Sequence, residues 1–117
     1  MVTRQSLEQQ IVALRERADE DFLQPAVTRE AGRHRLDISE LGLRVSLTRS
    51  LYRHQSAGLV GETDMYAVTI TRPALDHRAA DPEVSAVLSA AFGSTATQAV
   101  ERPSGPLVRM FRVPTPD

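Results

Sequence analysis

The residues with the clearest capacity for chemistry lie around His77, in the stretch "ALDHRAADPE". Asp76 precedes this histidine, and the start of a helix follows it. A histidine beside a carboxylate can be tuned for general acid–base work. Together with Tyr52 or Tyr66, these two residues would supply the polar groups of a pocket between a sheet and a helix. The first hypothesis is therefore a small enzyme or ligand-binding protein that uses Asp76, His77 and a tyrosine.

Several other kinds of chemistry are not favoured by the composition. The chain has no cysteine, which removes disulfides, thiolate metal ligands and cysteine nucleophiles. The three histidines, His34, His54 and His77, lack the i,i+4 spacing of a helical metal pair. No serine lies in a GxSxG motif, and no glycine-rich loop joins a strand to a helix. We therefore expect no metal site and no cofactor.

A second candidate site is the segment "LGLRVSLTRSLYRH", residues 41–54. Leucine and valine occupy one parity, whereas the other parity carries arginine, serine, threonine, tyrosine and histidine. This period of two predicts a long strand within residues 41–53 that buries Leu43, Val45 and Leu47. The segment contains no acid, although long solvated strands usually carry acids or lysines.

The polar face of this strand favours a protein–protein interface. Arginine and tyrosine are enriched at interfaces because each combines apolar area with directional hydrogen bonds. We predict that Arg44, Thr48 and Tyr52, with nearby Arg49 and Arg53, form part of such an interface. The alternative is an ordinary solvated face.

An acidic cluster supplies a candidate partner for that face. Asp19, Glu20 and Asp21 lie at the end of the first predicted helix, where the helix dipole already places negative charge. The arginines of the same helix precede these acids by four residues, which is the weaker order for an ion pair. The cluster is either a frayed, solvated helix end or the acidic partner of the basic face of another subunit, for which it is the nearest candidate in the sequence.

Two helices are predicted from apolar periodicity and end signals. The first covers residues 6–23, with apolar residues at spacings of three and four. The second covers residues 82–92, with Asp81 as its N-cap and Pro82 at its first position. Gly93 ends this second helix.

The remaining segments read as strands and turns. A turn at Ala31–Gly32 joins two short strands, and a change of parity predicts a turn or bulge near Ser39–Glu40. Residues 55–64 are predicted to form a loop, because they contain Gly58 and Gly61, which are typical of turns. Residues 65–71 form the next strand, and the prolines of residues 103–106 mark a second hairpin.

These elements give an α+β fold with an antiparallel sheet, in the order α-β-β-β-α-β-β, and both helices pack on one face. Residues 1–117 form a single domain, and residues 113–117 are expected to be a surface tail. The order is similar to that of the secretion-chaperone-like fold, whose members are mostly dimers that hold client proteins. This resemblance rests on the order of elements and implies an interaction role.

Charge and composition restrict the partners. Residues 29–53 carry a net charge of +3 within a chain of net charge −1. Five aromatic residues offer few stacking platforms, and no helix is basic along one face, so nucleic acid is not favoured. No apolar run has the length of a membrane span or a signal peptide. We therefore expect a cytoplasmic, self-associating interaction module that acts as an accessory, scaffold or chaperone-like subunit, with the enzyme hypothesis as the alternative.

Overall fold

The computed structural model describes residues 6–23, 34–73 and 77–115, with the backbone alone at residues 23, 53, 54 and 56. The predicted turn at Ala31–Gly32, together with Asp76, lies outside the described residues. The elements along the chain are α1 (Leu7–Leu23), β1 (His34–Ile38), β2 (Leu43–Ser56), β3 (Leu59–Thr71), α2 (Asp81–Phe92), a 3-10 helix (Gly93–Gln98), β4 (Val100–Arg102) and β5 (Val108–Pro114).

The strands form one antiparallel sheet in the order β1-β2-β3-β5-β4. This architecture confirms the predicted α+β fold and its order of elements. The turn predicted near Ser39–Glu40 is also present, where Gly42 closes the β1–β2 connection with a φ of 64°.

The hydrophobic core lies between one face of the sheet and the two helices. Leu43, Val45 and Leu47 are at most 2% exposed, which confirms the predicted buried parity of β2. They share one cluster with apolar residues of α1 and α2, including Leu14 and Val87. Burying each such side chain contributes about 1.5–3 kcal/mol, so this contact fixes which face of the sheet the helices cover.

The loop predicted at residues 55–64 is wrong, because β2 and β3 continue through most of it. Only Ala57 and Gly58 leave the strands, and both have positive φ, 52° and 81°. Two central residues of positive φ make the turn that matches the twist of a β-hairpin. The turn is hard to recognise in the sequence because only its second central residue, Gly58, is a glycine. Its first, Ala57, is a residue type that rarely adopts a positive φ.

The resulting hairpin extends beyond its neighbours in the sheet. β1 pairs with β2 only at residues 43–47, and β5 pairs with β3 only at residues 65–71. We call residues 48–64, which lie between these limits, the hairpin arm. The radius of gyration is 15.0 Å, whereas a compact chain of this length has about 13 Å. The molecule is correspondingly elongated, at 54 × 32 × 27 Å.

Two predicted ends differ from the structure. The N-cap of α2 is Ala80 and not Asp81, because the Glu83 carboxylate reaches back to accept from the Ala80 amide at 2.8 Å. The surface tail expected at residues 113–117 is not found at residues 113–115, and residues 116 and 117 lie outside the described residues. Val113 is fully buried in β5, and Pro114 pairs with Met65 at the end of that strand, where no amide is needed.

Candidate protein interaction surface

The face of the sheet opposite the helices is what we call the open face. Strand registers determine its members, because residues paired across antiparallel strands point to the same side. Each of its central residues is half-buried. They are Arg44, Ser46, Thr48, Ser50 and Tyr52 of β2, Thr63, Met65, Ala67, Thr69 and Thr71 of β3, and Val108, Met110, Arg112 and Pro114 of β5.

The open face is poor in acids. The edge strands add Arg35 and Asp37 from β1 and Val100 and Arg102 from β4. Asp37 is the one carboxylate on this face among the described side chains, and it accepts a hydrogen bond from Arg44 at 2.8 Å. This bond holds the pKa of Asp37 below its ordinary value. The face therefore presents several guanidinium groups around a middle of small, hydroxylated and apolar side chains.

Tyr52 and Arg112 hold each other in place on the open face. The Arg112 guanidinium lies 4.3 Å from the centre of the Tyr52 ring, which is a cation–π contact. The Arg112 side chain thus reaches from β5 across β3 to β2. Its Nε is buried and has no hydrogen-bond partner among the described residues. Tyr52 thus lies on the open face in contact with Arg112, which the sequence did not indicate.

Arg49 lies on the opposite side of β2 from Arg44 and Tyr52. Its Nε and Nη2 donate to Asp64 at 3.0 and 2.7 Å, and its Nη1 donates to Asp19 at 3.0 Å. The guanidinium also stacks 4.4 Å from the centre of the Phe22 ring. These contacts lower the pKa of Asp64 and join α1 to the base of the hairpin arm. Arg49 is therefore engaged within the chain, and the side chain of Arg53 lies outside the described residues.

Tyr66 belongs to the same helix-facing cluster. Its ring is 1% exposed and packs 5.0 Å from the Phe92 ring. Its hydroxyl donates to Asp19 at 2.6 Å and accepts from Arg15 at 3.2 Å. Burial raises the pKa of this phenol. A buried, neutral and doubly hydrogen-bonded tyrosine in this position fixes α1 against the sheet.

Asp19 and Asp21 at the end of α1 have partners among the described residues of the same chain. Asp19 binds Arg49 and Tyr66, and Asp21 lies 2.6 Å from His34 on β1. Glu20 is exposed. The cluster was expected to bind another subunit because its own helix offers few well-placed cations to neutralise its negative charge. The neighbouring strands supply that compensation, which could not be seen from the helix alone.

The residues of the enzyme hypothesis stand apart from each other. Tyr66 packs on Phe92 at the end of α2, whereas exposed His77 precedes the start of that helix. The 12-residue helix α2 spans about 18 Å between these two positions. Tyr52 lies on the other side of the sheet, and Asp76 lies outside the described residues. The structure does not bring Tyr52, Tyr66 and His77 to one pocket.

A further charged cluster, which the sequence did not indicate, lies at the β4 edge. Arg109 donates to Glu101 at 2.8 and 3.0 Å and to Asp81 at 2.7 Å, and Arg78 donates to Glu101 at 2.8 Å. Arg78 and Glu101 also border an open cleft of about 460 Å³. Each of these four charged groups already has a partner of opposite charge. The cluster therefore ties the start of α2 to the β4–β5 hairpin.

Acid should weaken the fold through the carboxylates that arginines bind. Four of them have a pKa below the ordinary value because each accepts a guanidinium hydrogen bond: Asp37 from Arg44, Asp64 from Arg49, Glu83 from Arg72 and Glu101 from Arg109. A carboxyl with a lower pKa in the folded state stabilises the protein above its unfolded pKa. This contribution is lost as the pH falls through the unfolded value and then the folded one.

We therefore expect the urea midpoint to decrease once the pH falls below about 4.5. Urea titrations monitored by circular dichroism at a series of pH values will measure it. The Glu101→Gln variant should show a shallower decrease, because one linked carboxyl is gone. A midpoint that increases on acidification would contradict this assignment.

Comparison of the chain with protein-family models, curated proteins and solved structures finds no match. Among the described helices, none is long and apolar enough to cross a membrane. No group of three or more histidine, aspartate or glutamate side chains that could hold a metal ion is found in the described ranges. The arrangement of the open face consequently carries the functional argument.

Proposed function

We propose that the protein is a non-catalytic interaction module that self-associates and acts as a cytoplasmic accessory, scaffold or chaperone-like subunit. The observation that carries this proposal is the open face. Helices cover one side of the five-stranded sheet. The other side presents half-buried side chains, and Asp37 at its edge is the one acid among those that the structure describes. Protein surfaces that remain in water usually carry mixed charges, whereas interface centres are depleted in charge.

The chemistry of the open face suits protein binding. Tyr52 already packs against the Arg112 guanidinium, and such a contact reduces the side-chain entropy that is lost when a partner covers the ring. Met65 and Met110 add flexible apolar surface that adapts to a partner. Exposed charge pairs contribute only about 0–1 kcal/mol each, so the apolar and aromatic groups must supply most of the affinity. Arg44, at the end of the open face, then helps to orient the partner on this surface.

The Arg44→Ser/Tyr52→Thr double variant tests this proposal. We expect it to weaken association by about tenfold or more, because anchors of this kind typically contribute over about 1 kcal/mol each. Its folded structure should remain, since neither side chain belongs to the core. Analytical ultracentrifugation over a range of concentrations measures self-association, and affinity recovery measures binding of other proteins.

Arg17→Ser is the matched control, because Arg17 is an exposed arginine on α1. It should retain the parent's behaviour in both measurements. Unchanged solution mass together with unchanged recovery of partners in the double variant would return the open face to ordinary solvated surface.

A further inference from the structure

Apolar side chains lie at both ends of the open face. On the hairpin arm, Leu59 is 75% exposed and belongs to the open side of β3. At the other end of the sheet, Val108 and Met110 of β5 are half-buried on the same side. A partner that covers both groups must itself carry two apolar groups. The distance between those two groups must match the distance from Leu59 to Val108 and Met110.

We infer that the occupant of the open face is a second copy of this chain, packed face to face and antiparallel. The two-fold axis passes near the Ser50–Met65 pair. Leu59 of each copy then contacts Val108 and Met110 of the other. This inference rests on the proposed function and specifies its partner.

The strand register supports this arrangement. Met65 lies midway between Leu59 and Thr71 on β3, and Thr71 pairs with Val108. At about 3.3 Å per residue, Leu59 and Thr71 lie roughly 20 Å on either side of Met65. A two-fold rotation near Met65 therefore places Leu59 over the Thr71–Val108 pair of the second copy. One rotation covers both apolar groups in both copies, as an isologous interface requires.

The charges favour the antiparallel orientation over a parallel one. Arg44 and Arg102 lie at the end of the face far from the arm. In an antiparallel pair, they face the arm of the second copy, where the described open-side residues Leu59, Gly61 and Thr63 are uncharged. The two copies of Arg44, and likewise the two copies of Arg102, are then held several screening lengths of about 8 Å apart, whereas Arg112 lies close to the axis. A parallel pair would instead place each arginine against its own equivalent.

The size of the face also matches a stable dimer. Each strand residue occupies about 16 Å² of a sheet, given a rise of about 3.3 Å and a strand spacing of about 4.8 Å. The whole open face, including the arm, thus spans roughly 700 Å² per copy. Standard interfaces bury about 800 Å² per partner. Without the hairpin arm the area would fall well below this value. A role in the dimer interface therefore explains why the arm extends beyond β1 and β5.

Two adjacent residues of the arm provide a matched test. Leu59 and Val60 are 75% and 62% exposed, but they lie on opposite sides of β3. We expect Leu59→Asp to weaken the dimer by at least about tenfold, whereas Val60→Asp retains the parent's affinity. Analytical ultracentrifugation gives both values, and circular dichroism verifies that each variant is folded.

Cross-linking tests the orientation directly, because the parent chain has no cysteine. In a Leu59→Cys/Val108→Cys variant, the two thiols lie about 40 Å apart within one chain. A bismaleimide that spans the roughly 10 Å between stacked sheets therefore joins them only between copies. We expect covalent dimers from this variant and few from the Val60→Cys/Val108→Cys control.

A parent chain that stays monomeric, or equal loss of the dimer in both aspartate variants, would overturn the second copy as the occupant. The interaction role, without self-association, would survive that result if the Arg44→Ser/Tyr52→Thr variant still lost recovery of a different protein. The two proposals are thus distinguished by separate measurements.

Discussion

The Val45→Asp variant is expected to be unfolded at room temperature. Val45 is 1% exposed and belongs to the cluster between β2 and the helices. An aspartate there loses the burial of the valine and places an unpaired carboxylate in an apolar environment. Changes of this kind cost more than about 4 kcal/mol, which is comparable to the whole stability of a small domain. Circular dichroism and urea titration will measure the outcome.

The neighbouring residue supplies the control. Ser46 follows Val45 on the same strand but lies on the open face, where it is half-buried. Ser46→Asp should therefore remain folded, with a urea midpoint near that of the parent. If both variants unfold, an aspartate in this part of β2 is destabilising whichever face it lies on. If Val45→Asp folds normally, the assignment of the core is wrong.

Replacing Arg49 with Met should destabilise the protein by about 2 kcal/mol. Removing one partner of a buried ion pair typically costs 3–5 kcal/mol. Here the Arg49 side chain is 16% exposed and the side chains of Asp19 and Asp64 are each 29% exposed, so water screens part of the effect. A loss of this size lowers Tm by roughly 6–12 °C, which differential scanning calorimetry will measure.

Arg44→Met is the matched control for this variant. Arg44 is also an arginine of β2 that pairs with an aspartate, but the side chains of that pair are more exposed, at 37% for Arg44 and 61% for Asp37. An exposed pair contributes about 0–1 kcal/mol, so Tm should change little. The Arg49→Met/Asp64→Leu double variant should recover part of the lost stability, because it also removes the orphaned carboxylate. An Arg49→Met protein as stable as the parent would show that the cluster is incidental.

The sequence predicted those parts of the fold that depend on local pattern. The alternation of Leu43, Val45 and Leu47 identified the buried face of β2, because burial and the period of two follow from the strand itself. Gly93 and the "DPEV" segment located α2 to within a residue. The N-cap was misplaced by one position, since the choice between Ala80 and Asp81 depends on where the Glu83 side chain turns.

The remainder depends on residues that are distant in the chain. Arg49 was grouped with the interface because the sequence does not show that Asp19 and Asp64 approach it from α1 and β3. Arg112 was missed for the same reason, since its contact with Tyr52 requires the pairing of β5 with β3. The open face could thus be anticipated from β2 alone, but its full composition could not.

The topology of the sheet also implies an order of folding. β1, β2 and β3 form a meander joined by short turns, so their contacts close small loops at little entropic cost. β5 pairs with β3 only after the chain has traversed α2, which makes its contacts non-local. Such contacts dominate the search time of small proteins. We expect the meander to form early and the docking of β5 to limit the rate, so that nascent chains briefly expose the β3 edge before the domain is complete.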